Sequence, residues 1–273
     1  MDAPVTVQGL GRPIAWLGPG ILLLAALVPD LRPFAALVIP VGWVALRIAR
    51  RSDAIGWAAA APLAIALAWP WVLGGDVPLG ADGCTAPLSV IAVRRVLLAM
   101  VTLAVVALLA QASESGAADL GLRRPRRSEA LIAASGVFAI AVGGLVIGPA
   151  IARPFFGELD FAVPAAAIVP ALAFGIANGT LEEVVYRGVL QTWIARFAPI
   201  GVAIAFQGLV FGIVHAGPEV QALLPIHIGL LAAAGIAAGI IRWRTGSLWI
   251  PIGVHIGADV ALYFGLACRP AVA

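Results

Sequence analysis

Apolar residues fill this 273-residue chain in long unbroken stretches, with polar positions confined to the gaps between them. The stretches fall at 14–28, 34–49, 54–73, 90–112, 129–151, 162–179, 200–216, 223–241 and 248–266. A helix needs on the order of 17 to 25 apolar residues to cross the hydrocarbon of a bilayer, and several stretches reach that length. Strands of a membrane barrel would alternate apolar and polar positions instead. The pattern predicts an all-α, polytopic transmembrane helical bundle. The first two stretches are short and bounded by proline, so a single re-entrant hairpin there would make eight spans rather than nine.

One gap is longer and strongly polar. Residues 113–129 carry Arg123, Arg124, Arg126 and Arg127. They divide the chain into an N-terminal set of helices, 1–119, to which the sequence assigns no role, and a C-terminal set, 120–273. The second set holds every candidate site residue.

Composition narrows the class. With 62% hydrophobic and 11% charged residues and a mean hydropathy of +1.04, the chain is far from a soluble domain. All 17 basic residues are arginine. They cluster at the ends of the stretches and form no helix-long basic face, which points to membrane lipid as surroundings and excludes nucleic acid as a partner. Placing the N-terminus in the cytoplasm puts Arg12, Arg47, Arg50, Arg51, the four linker arginines, Arg196, Arg242 and Arg244 on the cytoplasmic side, the orientation the positive-inside rule favours. The first stretch ends in Val28-Pro29-Asp30 with no small-residue cleavage pattern, and reads as a retained span. The Arg-only, Ala/Gly/Val-rich usage points to a bacterial protein, multi-pass in the cytoplasmic membrane. Cys84 and Cys268 are too few for a cysteine-built metal cluster; they form either one disulfide on the outer side or two separate thiols.

Against this apolar background, ionisable residues inside the stretches stand out, because a charge in hydrocarbon costs several kcal/mol unless it is partnered or wetted. Glu182 and Glu183 lie in Leu181-Glu182-Glu183-Val184-Val185-Tyr186-Arg187, His215 closes Phe211-Gly212-Ile213-Val214-His215, and His255 and Asp259 lie in His255-Ile256-Gly257-Ala258-Asp259. Asn178-Gly179-Thr180 predicts a break or kink, with Thr180 capping a new helical run to about Phe197. Within that run Glu183 and Arg187 are four apart and meet on one face. Glu182 is rotated about 100° from Glu183 and is left to face a cavity. One clamped and one unclamped carboxylate make a sensible general base. His255 and Asp259, also four apart, form a second pair that can fix an imidazole tautomer. His227 reads as structural.

Together these groups have the chemistry to activate water. They also match a zinc ligand set, with His215, His255 and Asp259 as ligands and a glutamate as base, although no His-Glu-x-x-His is present. A proton- or cation-coupled transporter would use similar groups, but the chain shows no inverted repeat and no paired broken helices. A catalytically silent immunity or interaction protein would keep the same residues for structure.

At these residues the chain resembles the CPBP family of intramembrane proteases, which includes the type II CAAX prenyl endopeptidases and bacteriocin-processing or immunity proteins. The family pattern Glu-Glu-x-x-x-Arg stands as Glu182 to Arg187, Phe-x-x-x-His as Phe211 to His215, and His-x-x-x-Asn/Asp as His255 to Asp259. Leu120-Gly121-Leu122-Arg123-Arg124 and Arg244-Thr245-Gly246-Ser247-Leu248 are also similar to it, so the resemblance covers roughly 120–266. It implies a helical bundle enclosing a polar cavity and a peptide or membrane-protein substrate. It further implies Glu182 as the base that activates water, His215 as its assistant, and His255 with the residue four later as the oxyanion site. Asp259 stands where many members carry Asn, and an ionised Asp cannot donate a hydrogen bond to an oxyanion. It is then protonated, or orients His255, or is a metal ligand.

Overall fold

In the computed structural model, residues 12–72, 89–156, 163–216 and 224–267 are described. They form helices α1 (Pro13–Leu27), α2 (Arg32–Ile48), α3 (Ala54–Val72), α4 (Val90–Ala112), α5 (Arg127–Phe156), α6 (Ile168–Glu183), α7 (Thr192–Ile194), α8 (Ile200–Val214), α9 (Leu224–Thr245) and α10 (Trp249–Leu262), with no strand among the described residues. Among the described residues, six helical segments are long and apolar enough to cross a membrane: Pro29–Ile48, Ala54–Trp71, Val90–Ala112, Arg127–Phe155, Ala165–Ile194 and Leu224–Thr245. The apolar segments Pro13–Leu27, Ile200–Val214 and Trp249–Gly265 are shorter. The chain is an all-α integral membrane protein. Cys84 and Cys268, and with them the disulfide expected from sequence, lie outside the described residues.

The exposed side chains carry the same message. Leu131, Phe138 and Val146 on α5 and Leu37 and Ile48 on α2 are large, apolar and uncovered, a surface stable only against lipid. The inner faces join in a large apolar cluster that runs from Ala15 and Leu22 through Trp193 and Phe211 to Ile252, with a smaller one around Ala171, Val260 and Tyr263. Two buried glutamines cross it, Gln207 donating to the Gly235 carbonyl at 2.8 Å and Gln191 to the Gly239 carbonyl at 3.1 Å. Such interhelical bonds to main-chain oxygens suit an interior without water.

The break expected at Asn178-Gly179-Thr180 does not occur. α6 runs through all three residues to Glu183, widens into a π-helical turn over Val184–Gln191, and ends in α7. Thr180 is interior and caps nothing. Gly179 serves packing instead: a Cβ there would lie 2.9 Å from the Ile256 amide nitrogen of α10, and one on Gly175 would lie 3.0 Å from the Ile256 carbonyl oxygen. On its other side α10 presses Gly253 and Gly257 onto the main chain of Ala133 and Val137 in α5. Small residues let helix backbones approach closely in lipid, and here they hold α10 between α5 and α6.

The polar segment after α4 is docked rather than loose. The Leu248 amide donates to the Gly121 carbonyl at 3.0 Å, and the Trp249 indole donates to the Arg123 carbonyl at 2.7 Å. The Arg123 guanidinium bonds the Glu129 carboxylate and the Thr245 carbonyl. Gly121 has φ +84°, and a Cβ there would collide with the Arg242 side chain, so glycine is required on both counts. This pins the α9–α10 corner from which the site helix α10 starts.

Candidate active site

α6 and α10 face each other in antiparallel register: Gly175 meets Val260, Gly179 meets Ile256, and Glu183 meets His255. The two glutamates at the end of α6 therefore come opposite His255. The third contributor arrives from α8. A 15-residue helix rises about 22 Å, short of the roughly 30 Å hydrocarbon layer. The residue that caps its C-terminal end, His215, therefore reaches the glutamates instead of a far surface.

Glu183 is 2% exposed and saturated at one oxygen: its Oε1 accepts from the Arg187 guanidinium at 2.8 Å and from His255 Nδ1 at 2.8 Å. Arg187 is buried with it and lies over the Phe211 ring, 4.5 Å from the centroid. A carboxylate only accepts, so the His255 proton sits on Nδ1 and Nε2 is turned the other way. His215 is fixed by the same logic. Its Nδ1 lies 2.7 Å from the Phe211 carbonyl oxygen, which again places the proton on Nδ1. Both Nε2 atoms then face Glu182, each 3.6 Å from its Oε2. That is too long for a hydrogen bond, and Glu182 Oε2 is buried without a hydrogen-bond partner. A separation of this size suits groups that share a small bound molecule.

The pairing of His255 with Asp259 expected from their spacing is loose, at 3.8 Å. His255 is drawn to Glu183 instead, and the Asp259 carboxylate accepts a hydrogen bond from Asn178 Nδ2 at 3.0 Å. Asn178 and Asp259 are 5% and 4% exposed. Sequence reading assigned Asn178 to a helix break and so missed it as a member of this cluster. The available signal was its place one turn before Glu182, on the same face of α6. The structure thus brings Glu182, Glu183, Arg187, His215, His255 and Asp259 together and adds Asn178. His227 lies apart, buried against Phe155 with ring centroids 5.2 Å apart.

Of the residues considered as zinc ligands, His215 and His255 face Glu182, while Asp259 accepts a hydrogen bond from Asn178. Zinc needs its donors converging at about 2 Å from one point. Asp259 is turned to Asn178, and no group of three or more His, Cys, Asp or Glu among the described residues is placed to hold an ion.

These features define a helical membrane protein with a buried carboxylate–imidazole site. Residues 164–261, which contain all seven members of the cluster, match the family model for the type II CAAX prenyl endopeptidase, Rce1-like. No curated protein and no solved structure matches the chain. Over this segment the chain is similar to the CPBP/CAAX proteases, a family of peptide hydrolases.

Proposed function

We propose that this protein is an intramembrane endopeptidase that hydrolyses a peptide bond of a membrane-associated peptide or protein with water activated by Glu182. The observation that carries the reading is the unpartnered Oε2 of Glu182 facing two imidazole Nε2 atoms at 3.6 Å. Glu182 Oε2 and His215 Nε2 are two acceptors facing one point, and a water supplies the two hydrogens they need.

Glu182 takes a proton from that water while His215 Nε2 holds its other hydrogen. The oxygen bonds to the scissile carbonyl carbon, and the carbonyl oxygen becomes an oxyanion. His255 is ringed by Glu183, Glu182 and Asp259 at 2.8, 3.6 and 3.8 Å. As an imidazolium it donates Nε2–H to that oxyanion. Asp259, held by Asn178, balances the imidazolium charge and makes no bond to the oxyanion. The C–N bond then breaks, and Glu182 returns its proton to the leaving amine.

The test is reconstitution of the full chain in liposomes with a library of membrane-associated peptides in heavy-oxygen water. New C-termini carrying the heavy oxygen are expected. Ion uptake with no new termini would replace this reading with the transporter one.

A further inference from the structure

Arg12, Arg47, Arg50, Arg51 and Arg196, all on the side expected to be cytoplasmic, line one trough in the bundle. A cavity of about 520 Å³ is bounded by Arg12, Arg50 and Arg51, and one of about 320 Å³ by Arg12, Arg47, Arg51 and Arg196. Arg12, Arg51 and Ser52 line both and join them. The five come from four places in the chain: before α1, the last turn of α2, the α2–α3 turn and the segment after α7. Cavities of this size fall within the roughly 300–1,000 Å³ of small-molecule sites. Trp43 lines the second one, and indole rings settle at the headgroup level of a bilayer.

The charges in the trough do not balance. Two acids share it with the five arginines, Asp53 and Glu114. Asp53 is committed to Arg51, which donates to its Oδ2 at 2.9 and 3.2 Å. Arg196 donates to the Ser113 carbonyl and the Ser115 hydroxyl. The side chains of Arg47 and Arg50 make no hydrogen bond or ion pair among the described residues. Other arginines expected on this side bond to the protein itself, Arg123 to Glu129 and Arg242 to the Asp119 carbonyl.

The backbone gives an independent sign. Among the described residues, the non-glycine positions with left-handed backbone are Arg50 (φ +51°) and Glu114 (φ +54°), and both line the trough. Each follows the end of a helix, α2 and α4, where glycine or asparagine is usual. Strained backbone persists where its surroundings over-determine it, and it clusters at ligand sites. Glycine at position 50 would close α2 equally well, through the same bond from the Arg51 amide to the Leu46 carbonyl at 2.8 Å. What arginine adds there is a guanidinium at the trough.

We infer that this trough binds a phosphate group, carried by an anionic phospholipid headgroup or free in solution. The guanidinium fork matches phosphate oxygens, and basic pockets between spans take anionic headgroups. Arg196 follows the helical run that carries Glu182, so a phosphate held here joins α1–α3 to that run. The site stands independently of the peptide-hydrolase reading.

The full chain in dodecyl maltoside is titrated calorimetrically at fixed ionic strength with three probes. They are short-chain phosphatidylglycerol, phosphatidylcholine of the same chain length, and inorganic phosphate. Phosphatidylglycerol is expected to bind about 10- to 100-fold tighter than phosphatidylcholine, the range for charge-assisted hydrogen bonds. Inorganic phosphate that displaces phosphatidylglycerol identifies free phosphate as sufficient; lipid binding indifferent to it identifies the headgroup as the source. Arg50→Gly should weaken binding about 10-fold while the thermal midpoint stays or rises, because glycine relieves the left-handed backbone. A merely structural arginine would show the opposite pattern. Arg47→Gln should weaken binding similarly. Arg244→Gln removes an exposed arginine outside the trough and should leave the affinity unchanged. Equal binding of the two lipids with no binding of inorganic phosphate would overturn the assignment. So would an affinity untouched by both Arg50→Gly and Arg47→Gln, or an equal loss in Arg244→Gln.

Discussion

Glu182 and Glu183 are adjacent and chemically identical, and the bundle gives them opposite surroundings. Glu183 is tied to Arg187 and His255; Glu182 Oε2 is tied to nothing in direct reach. Removing one member of a buried ion pair leaves the other uncompensated, at about 3–5 kcal/mol. Glu183→Ala should accordingly lower the thermal midpoint strongly in detergent, and with it the activity. Its neighbour's variant Glu182→Gln should leave the midpoint almost unchanged, and a large drop there would contradict the division of roles. The Asn178–Asp259 bond gives a second expectation. Asn178→Asp sets two carboxylates face to face and should impair both folding and cleavage. Adding Asp259→Asn restores an amide–carboxylate pair with the partners exchanged and should recover the midpoint; failure to recover would remove the pair from the account. The Glu183–Arg187 bond was legible in the sequence because both ends lie one turn apart on one helix. The Glu183–His255 bond joins residues 72 apart and depends on how two helices meet, which no local spacing encodes. Asn178 went unread because Asn before Gly is a turn signal in water, whereas here both residues face α10.

At the scale of elements, the site depends on how closely α10 approaches α6. Gly179→Ala places a methyl against the Ile256 main chain, where backbone and not a flexible side chain must yield. Overpacking of this kind costs about 1–3 kcal/mol, and displacement of α10 carries His255 away from Glu182. A loss of cleavage larger than the loss of thermal stability is expected. Unchanged activity would mean the α6–α10 spacing is not what sets the geometry. Helix positions were legible because an apolar run bounded by polar or Pro/Gly residues has one solution in lipid. The continuity of α6 was not, since glycine that breaks a helix in water serves helix contact in a membrane. Nor was the convergence of the three site helices. It follows from the shortness of α8 and from the corner pinned by Gly121, Arg123 and Trp249.

For the whole molecule, the long helices present apolar faces to lipid while α8 and α10, both shorter, converge on α6 and bring the titratable groups together. The family class was legible from three motifs in order, because each holds residues that the fold must bring to one place. The donor geometry leads to the expectation that hydrolysis persists after dialysis against a chelator, with no stoichiometric zinc by elemental analysis. One zinc per chain, lost together with activity in a His215→Ala/His255→Ala protein, would contradict that. The central claim is that Glu182 activates the water. It is tested most directly by the cleavage rate of Glu182→Gln beside wild type, both reconstituted at equal amounts and matched in thermal midpoint. A fall of about 10²- to 10⁴-fold, the usual contribution of a general base, is the expected result. A rate within a few-fold of wild type would contradict the account.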